Sequence, residues 1–185
     1  NLEAVRTAQK LLEEVPDKES VNFKILECYA IMATKNRPDV ERAFQRLVEI
    51  VQENQNHVPS LLALSTALMM MKQTPKARNQ LKRISKMQYN QEEADSFEKC
   101  WLLLADIFIG SGKYDLAQEL CKRCLQHNRS CAKAWECMGV IMEKEASYAD
   151  AAEHYEQAWK YQKMASASVG YKLAFNYLKA KRYVE

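Results

Sequence analysis

The amino-acid sequence predicts an all-α protein, an α-solenoid of about ten helices paired into hairpins. Three observations predict this fold class. Only four glycines and four prolines occur in 185 residues, whereas chains rich in strands need frequent turn residues. The second half of the sequence repeats after 34 positions, a period typical of stacked helical hairpins. Apolar residues make up 48% and charged residues 28%, which is the composition of a globular protein.

The repeat is found by aligning the segment that begins at Cys100 with the segment that begins at Ala134. Small residues recur where two antiparallel helices must approach each other, and large residues recur where the wedge between hairpins must be filled. A third copy follows 35 positions later, with Leu173, Ala174, Tyr177 and Tyr183. The aligned pairs of the first two copies are Trp101 and Trp135, Leu104 and Met138, Ala105 and Gly139, Phe108 and Met142, Tyr114 and Tyr148, Ala117 and Ala151, and Cys121 and Tyr155.

The N-terminal half carries weaker copies of the same pattern. A few extra residues fall near Gln88 to Ser96, and another insertion falls near Lys35 to Pro38. We therefore expect residues 1–185 to be one solenoid segment cut from a longer protein. Its predicted parts are the second helix of a preceding repeat (1–18), a divergent repeat (19–57), a repeat with a C-terminal insertion (58–97), two regular repeats (98–131 and 132–166) and a partial repeat (167–185).

Four cysteines and a histidine lie close together in the stretch Glu119 to Cys137. The spacing Cys121-x-x-Cys124-x-x-His127-x-x-x-Cys131 is compatible with a zinc site, which needs four converging ligands. In the repeat alignment, however, Cys121 and Cys124 occupy the packing positions of Tyr155 and Ala158. A buried thiol packs as a small apolar group, so we predict packing and neither a metal nor a cofactor. Six cysteines without secretory features also indicate free thiols and a cytoplasmic protein.

No catalytic motif is present in the sequence. It contains no glycine-rich phosphate loop, His-Glu-x-x-His motif or nucleophile elbow. The three histidines, His57, His127 and His154, are isolated from one another. The most apolar run, Ser60 to Met71, is too short to cross a bilayer. We predict that the protein is not an enzyme, has no small-molecule substrate and has no transmembrane segment.

The order of the repeated residues resembles the tetratricopeptide-repeat family, which has Trp, Leu, Gly or Ala and Tyr on a first helix, then Ala, a large residue and Ala on a second. The resemblance implies a right-handed solenoid that binds proteins along a concave groove. In this family the groove is lined by residues one, five and eight positions after the Trp position. Carried over by position, our groove candidates are Leu102, Asp106, Ile109, Glu136, Val140, Tyr171 and Phe175.

The strings CWLLLADIFI, KRCLQHNRSCAKAWECMGVIMEKE, DAAEHYEQAWKY and VGYKLAFNYLKAKRYVE are similar to a ciliary branch of that family, the long subunits of intraflagellar transport complex A. This resemblance implies a scaffold that acts in retrograde transport and cilium assembly. It also implies that the partners are other protein subunits of that complex, and that the protein is found in the cilium and at the ciliary base.

A second candidate surface is basic. No Asp or Glu occurs between Glu53 and Glu92, and one predicted helix in this interval carries apolar residues on its opposite side. One interpretation is a solvated outer face; the other is docking to an acidic partner, an anionic lipid or a nucleic acid. Aromatic residues for base stacking are missing from this helix, which disfavours nucleic acid as the ligand. The net charge of +3 is too small to predict nucleic-acid binding by itself. The basic residues are Lys76, Arg78, Lys82, Arg83 and Lys86.

Overall fold

The computed structural model describes residues 2–181. Ten α-helices and one short 3₁₀ helix form in this part of the chain, and no strand occurs within it. The predicted all-α class is therefore confirmed for the described residues. The helices are α1 (Leu2–Glu13), α2 (Val21–Met32), α3 (Arg37–Glu53), α4 (Val58–Met70), α5 (Thr74–Ser85), the 3₁₀ helix (Gln91–Glu93), α6 (Ala94–Gly110), α7 (Tyr114–His127), α8 (Ala132–Lys144), α9 (Tyr148–Tyr161) and α10 (Ala167–Lys179).

Several helices begin at residues whose local chemistry favours a start. Prolines occupy one of the first two positions of α3, α4 and α5, where the missing N–H of proline costs no intrahelical hydrogen bond. The hydroxyl of Ser20 accepts a hydrogen bond from the backbone N–H of Phe23 at 3.3 Å at the start of α2. Ser166 caps α10 in the same way. These residues fix where helices begin, because they satisfy or remove donors that a helix terminus leaves unpaired.

Three of the turns between consecutive helices share one backbone geometry. Lys72, Gly112 and Ala146 adopt the left-handed conformation, with φ of 60°, 71° and 60°. The N–H of the next residue then donates to the carbonyl five residues earlier, a helix-ending motif that needs this conformation. These bonds run from Gln73 to Leu68 at 2.8 Å, from Lys113 to Phe108 at 2.9 Å and from Ser147 to Met142 at 2.9 Å.

The residues Asn1–Cys100 form one compact unit. Within it α2 packs against α3 and α4, and α4 packs against α3 and α5. Nearly every residue of α4 from Val58 to Leu68 is buried, because neighbouring helices cover it on more than one side. The 3₁₀ helix lies in the predicted insertion, where the side chain of Asn90 accepts a hydrogen bond from the N–H of Glu92 at 3.1 Å.

A second compact unit runs from Trp101 onward. In this unit α7 packs on α8, α8 on α9, and α9 on α10. Tyr155 is completely buried at its centre, packed with Ala151, Ala158 and Val169. A Cβ atom on Gly139 would lie 2.8 Å from the Tyr155 ring, which is too close for real contacts. The small residue at position 139 therefore sets how closely α8 and α9 approach.

The repeat boundaries remain a prediction. The helix α6 begins at Ala94, a few residues before the predicted repeat start at residue 98. The prediction for Tyr183, which aligned it with Tyr148, falls outside the described residues. The left-handed residue Lys181, with φ of 60°, lies 35 positions after Ala146 and so continues the turn pattern of the second unit.

Candidate protein-binding surface

The seven groove candidates lie on the first helices of successive predicted hairpins in the second unit. Asp106, Tyr171 and Phe175 are exposed, and the other four are half-buried. None of the seven is sequestered in the core. The three helices that carry them are α6 (Leu102, Asp106 and Ile109), α8 (Glu136 and Val140) and α10 (Tyr171 and Phe175).

Polar contacts join these helices through the candidate positions or their neighbours. The thiol of Cys137 on α8 donates to Oδ1 of Asp106 on α6 at 3.5 Å. The Nζ of Lys172 on α10 lies 2.7 Å from Oε1 of Glu136 on α8. The candidates therefore form adjacent rows of one surface, which we call the first-helix face.

Glu136 is held inside the unit by two lysines. Its side chain is only 16% exposed, and Lys133 Nζ lies 3.7 Å from its second carboxylate oxygen. Burial favours the neutral acid, but the hydrogen bond from Lys172 and the charges of both lysines outweigh burial and lower the pKa of Glu136. Glu136 thus remains a carboxylate that joins α8 to α10, and a binding partner would have to compete with Lys172 for it.

A second polar contact between α8 and α10 involves a residue that the sequence reasoning missed. The Nδ2 of Asn176, which is fully buried, donates to Oε2 of Glu143 at 3.1 Å. The hydroxyl of Tyr155 donates to the same oxygen at 3.1 Å. Burial, followed by the nearby Glu143 carboxylate, raises the pKa of Tyr155. Asn176 aligns with buried Ile141 in the preceding repeat, so its polarity at an apolar position was the only available sequence signal.

The helix α10 presents an exposed apolar stripe. Tyr171 is 73% exposed, Phe175 36% and Leu178 60%. The rings of Tyr171 and Phe175 stack with centroids 6.4 Å apart. The Nζ of Lys179 lies 5.6 Å from the centroid of the Phe175 ring. This stripe is the most apolar part of the first-helix face that solvent reaches.

The cysteine-rich stretch is a packing junction between α7 and α8. Cys121 and Cys124 lie buried on α7, and buried Cys131 precedes the first residue of α8. The sulfurs of Cys124 and Cys131 lie within 4.8 Å of each other, whereas the ring of His127 stacks on Trp101 at 5.4 Å. A hydrogen bond with Cys137, together with burial, raises the pKa of Cys121. Among the described residues, Cys121 and His127 therefore do not join Cys124 and Cys131 in one cluster, as a zinc site with this spacing would require.

The five basic residues named above lie along α5 and at its C-terminal cap. Lys76, Lys82, Arg83 and Lys86 are exposed and Arg78 is half-buried, while Ala77, Leu81 and Ile84 are fully buried on the other side. Arg83 also has a structural role, because its Nη2 donates to the carbonyl of Gln55 at 2.8 Å and to Oδ1 of Asn56 at 3.2 Å. One residue of the basic face, Arg83, therefore stabilises the turn before α4.

Solved structures show the same arrangement of helices. A crystal structure of the APC/C hetero-tetramer Cut9–Hcn1 matches with a TM-score of 0.72 and 13% identity, over 95% of this chain and 32% of that one. A crystal structure of MamA matches with a TM-score of 0.67 and 16% identity, over 86% of this chain and 84% of that chain. At such identities the likeness shows the fold alone. With the hairpins described above, it defines the chain as a protein built of stacked helical hairpins.

Sequence relatives narrow the class to one family. The family profile described as the tetratricopeptide repeat protein 21 C-terminal ARM domain matches residues 7–185. Human tetratricopeptide repeat protein 21B is 58% identical over 98% of this chain, and mouse tetratricopeptide repeat protein 21A is 50% identical over 98%. The Caenorhabditis elegans homolog is 34% identical over 93%. The chain belongs to the tetratricopeptide repeat protein 21 family.

The chain spans 14% of the length of the human and mouse relatives that it matches. No helix among residues 2–181 is both long enough and apolar enough to cross a membrane.

Proposed function

We propose that the chain is a non-catalytic scaffold for other protein subunits, and that the longer protein works in intraflagellar transport complex A during retrograde transport. Membership of a helical-repeat family supports the scaffold, because such repeats present extended surfaces to partners. The similarity of the C-terminal sequence strings to the ciliary branch of the family supports the assignment to that complex. On this proposal the protein acts in the cytoplasm, the cilium and the ciliary base, contributes to cilium assembly, and uses neither a cofactor nor a small-molecule substrate.

The observation that carries the proposal is the first-helix face of the second unit. Apolar and acidic side chains of α6, α8 and α10 reach solvent there, and side-chain contacts fix the spacing between these helices. A surface held in place before binding loses little conformational freedom when a partner docks. Segments of another subunit, helical or extended, are the ligands that such a surface fits.

The test is co-purification of subunits with the full-length protein. Asp106→Arg reverses the charge of an exposed side chain on the α6 row of the first-helix face. We expect it to reduce co-purifying subunits by roughly tenfold, the factor that about 1.4 kcal/mol gives. The matched control is the double variant Lys76→Glu and Lys86→Glu at exposed positions of the basic face, which leaves the first-helix face intact. Full retention of every subunit by a folded Asp106→Arg protein would overturn the proposal.

A second candidate function uses the basic face of α5. Lys76 and Lys86 are exposed and form no ion pair with a carboxylate of the described residues, which favours an external anion. The candidate ligands are an acidic protein, an anionic lipid and a nucleic acid, in that order. If the Lys76→Glu and Lys86→Glu variant, and not Asp106→Arg, loses the partners, docking through α5 replaces the first proposal.

A further inference from the structure

Thr74 is the first residue of α5, and its hydroxyl forms no hydrogen bond with any of the residues 2–181. Its side chain is half-buried, and Pro75 after it is exposed. A residue before proline is disfavoured in the helical conformation, because the proline ring clashes with its backbone. The first turn of α5 therefore opens easily. Once it opens, Thr74 favours the extended conformation in which a protein kinase binds its substrate.

Positive charges surround this hydroxyl. Lys72 and Lys76 are exposed and Arg78 is half-buried, and none of the three forms an ion pair with a carboxylate in the described part of the chain. The first turn of α5 contains no acidic residue, although a negative charge there would be favoured by the helix dipole. The three cations and the helix N-terminus therefore lack a negative counterpart at Thr74.

Arg78 contributes a donor that is buried and unpaired. Its Nε is buried and has no hydrogen-bond partner among the residues that the structure describes, and a buried donor destabilises the protein unless an acceptor reaches it. Arg78 follows Thr74 by four positions, so the two side chains are neighbours on one side of the helix. Helical side chains also lean toward the N-terminus. An acceptor attached to the Thr74 oxygen is therefore within reach of the Arg78 guanidinium.

We propose that Thr74 is a phosphorylation site, and that Arg78 and the start of α5 hold the phosphate. A phosphate on threonine carries a charge of about −1.5 to −2 near neutral pH and has three acceptor oxygens. It would supply both the negative counterpart that the cations lack and the acceptor that the buried Nε lacks. The inference does not depend on the proposed scaffold function.

The phosphate comes from ATP with Mg²⁺, bound to a protein kinase that accepts a proline after the acceptor residue. A bond forms between Oγ1 of Thr74 and the γ-phosphorus of ATP. The bond between that phosphorus and the bridging oxygen breaks, and ADP leaves. The hydroxyl proton passes to the catalytic carboxylate of the kinase.

The first test is phosphate transfer to the folded full-length protein. The protein is incubated with ATP and either a mitogen-activated or a cyclin-dependent protein kinase, and phosphopeptides are identified by mass spectrometry. We expect phosphate on Thr74. The control is Thr66, which precedes Ala67 and whose hydroxyl donates to the carbonyl of Leu62 at 2.9 Å; it should remain unmodified. Absence of phosphate from Thr74 with both kinases, or equal labelling of both threonines, would overturn the inference.

The second test measures whether Arg78 and the start of α5 hold the phosphate. Phosphothreonine is installed at position 74 of the full-length protein by genetic code expansion, and amide exchange is measured by mass spectrometry. We expect the α5 amides to exchange roughly twofold to fivefold more slowly than with unmodified Thr74, and the α1 amides to be unchanged. In Arg78→Gln the phosphate should slow exchange less, whereas Arg78→Lys, which keeps the charge, should retain part of the effect. Unchanged or faster exchange with the phosphate, or the same slowing in Arg78→Gln, would show that this site does not hold it.

Discussion

At the scale of single residues, Gly139 controls the approach of α8 to α9. Its ideal Cβ position lies 2.8 Å from Cδ1 of Tyr155, and Tyr155 is fully buried. We expect Gly139→Ala to destabilise this hairpin by roughly 1 kcal/mol. Overpacking destabilises by about 1–3 kcal/mol, and the better helix propensity of Ala offsets about 1 kcal/mol of this. Hydrogen–deuterium exchange of the α8 and α9 amides measures the effect as faster exchange.

Gly110 provides the matched control for this substitution. No atom lies within 4 Å of its ideal Cβ position, so Gly110→Ala should leave exchange unchanged or slower. The double variant Gly139→Ala and Tyr155→Leu should be less destabilised than the sum of its parts, because the smaller side chain makes room for the methyl group. If the α8 and α9 amides of the single variant Gly139→Ala exchange as slowly as in the unsubstituted protein, Tyr155 moves aside without a loss of stability, and the prediction is wrong.

A second residue-scale prediction concerns the pH dependence of the Glu136 ion pair. The pKa of Glu136 is lowered from its ordinary value of 4.5, so the carboxylate stabilises the fold at pH above that value. The contribution is lost as the pH falls through the folded-state pKa. Glu136→Gln should therefore cost about 1–2 kcal/mol near neutral pH, and the difference from the unsubstituted protein should shrink in acid. Urea unfolding at several pH values measures it.

The control for Glu136 is Glu19. It pairs with Lys24 at 2.9 Å, but its side chain is 91% exposed, so solvent screens the interaction. Glu19→Gln should leave the unfolding free energy unchanged within error at every pH. If Glu136→Gln also leaves the free energy of unfolding unchanged, the ion pair between Lys172 and Glu136 does not stabilise the protein in solution.

At the scale of the elements, the hairpin turns use the left-handed conformation whether or not the residue is glycine. Ala146 adopts it with φ of 60°, and Gly112 adopts it with φ of 71°. The left-handed conformation costs a residue with a Cβ about 1–2 kcal/mol. Glycine avoids this cost but loses more backbone conformational entropy on folding than other residues do. We expect Ala146→Gly to stabilise its hairpin by up to about 1 kcal/mol and Gly112→Ala to destabilise its own by about the same. Thermal unfolding measures both, and shifts in the same direction would contradict the prediction.

The helices were predictable from the sequence where steric requirements are strict. Gly139 and Ala105 mark positions that only small residues can occupy, so their spacing revealed the hairpins. The contact between Lys172 and Glu136 was not predictable, because its members are 36 positions apart and a charged residue on a first helix is equally compatible with solvent. Buried Asn176 was missed for the same reason. Its partner Glu143 lies on another helix, and nothing local marks an asparagine as buried.

At the scale of the whole molecule, the first-helix face and the basic face of α5 predict different responses of assembly to salt. Binding through apolar side chains with few charges changes little with ionic strength, whereas docking of a lysine-rich helix to an acidic or nucleic-acid partner weakens steeply. We expect the affinity of the full-length protein for its co-purifying subunits to fall less than about threefold between roughly 50 and 300 mM NaCl. A collapse of binding in this range would favour α5, and the Lys76→Glu and Lys86→Glu variant would then flatten the salt dependence. A shallow dependence that this variant leaves unchanged would assign assembly to apolar contacts like those of the first-helix face, because such contacts respond little to ionic strength.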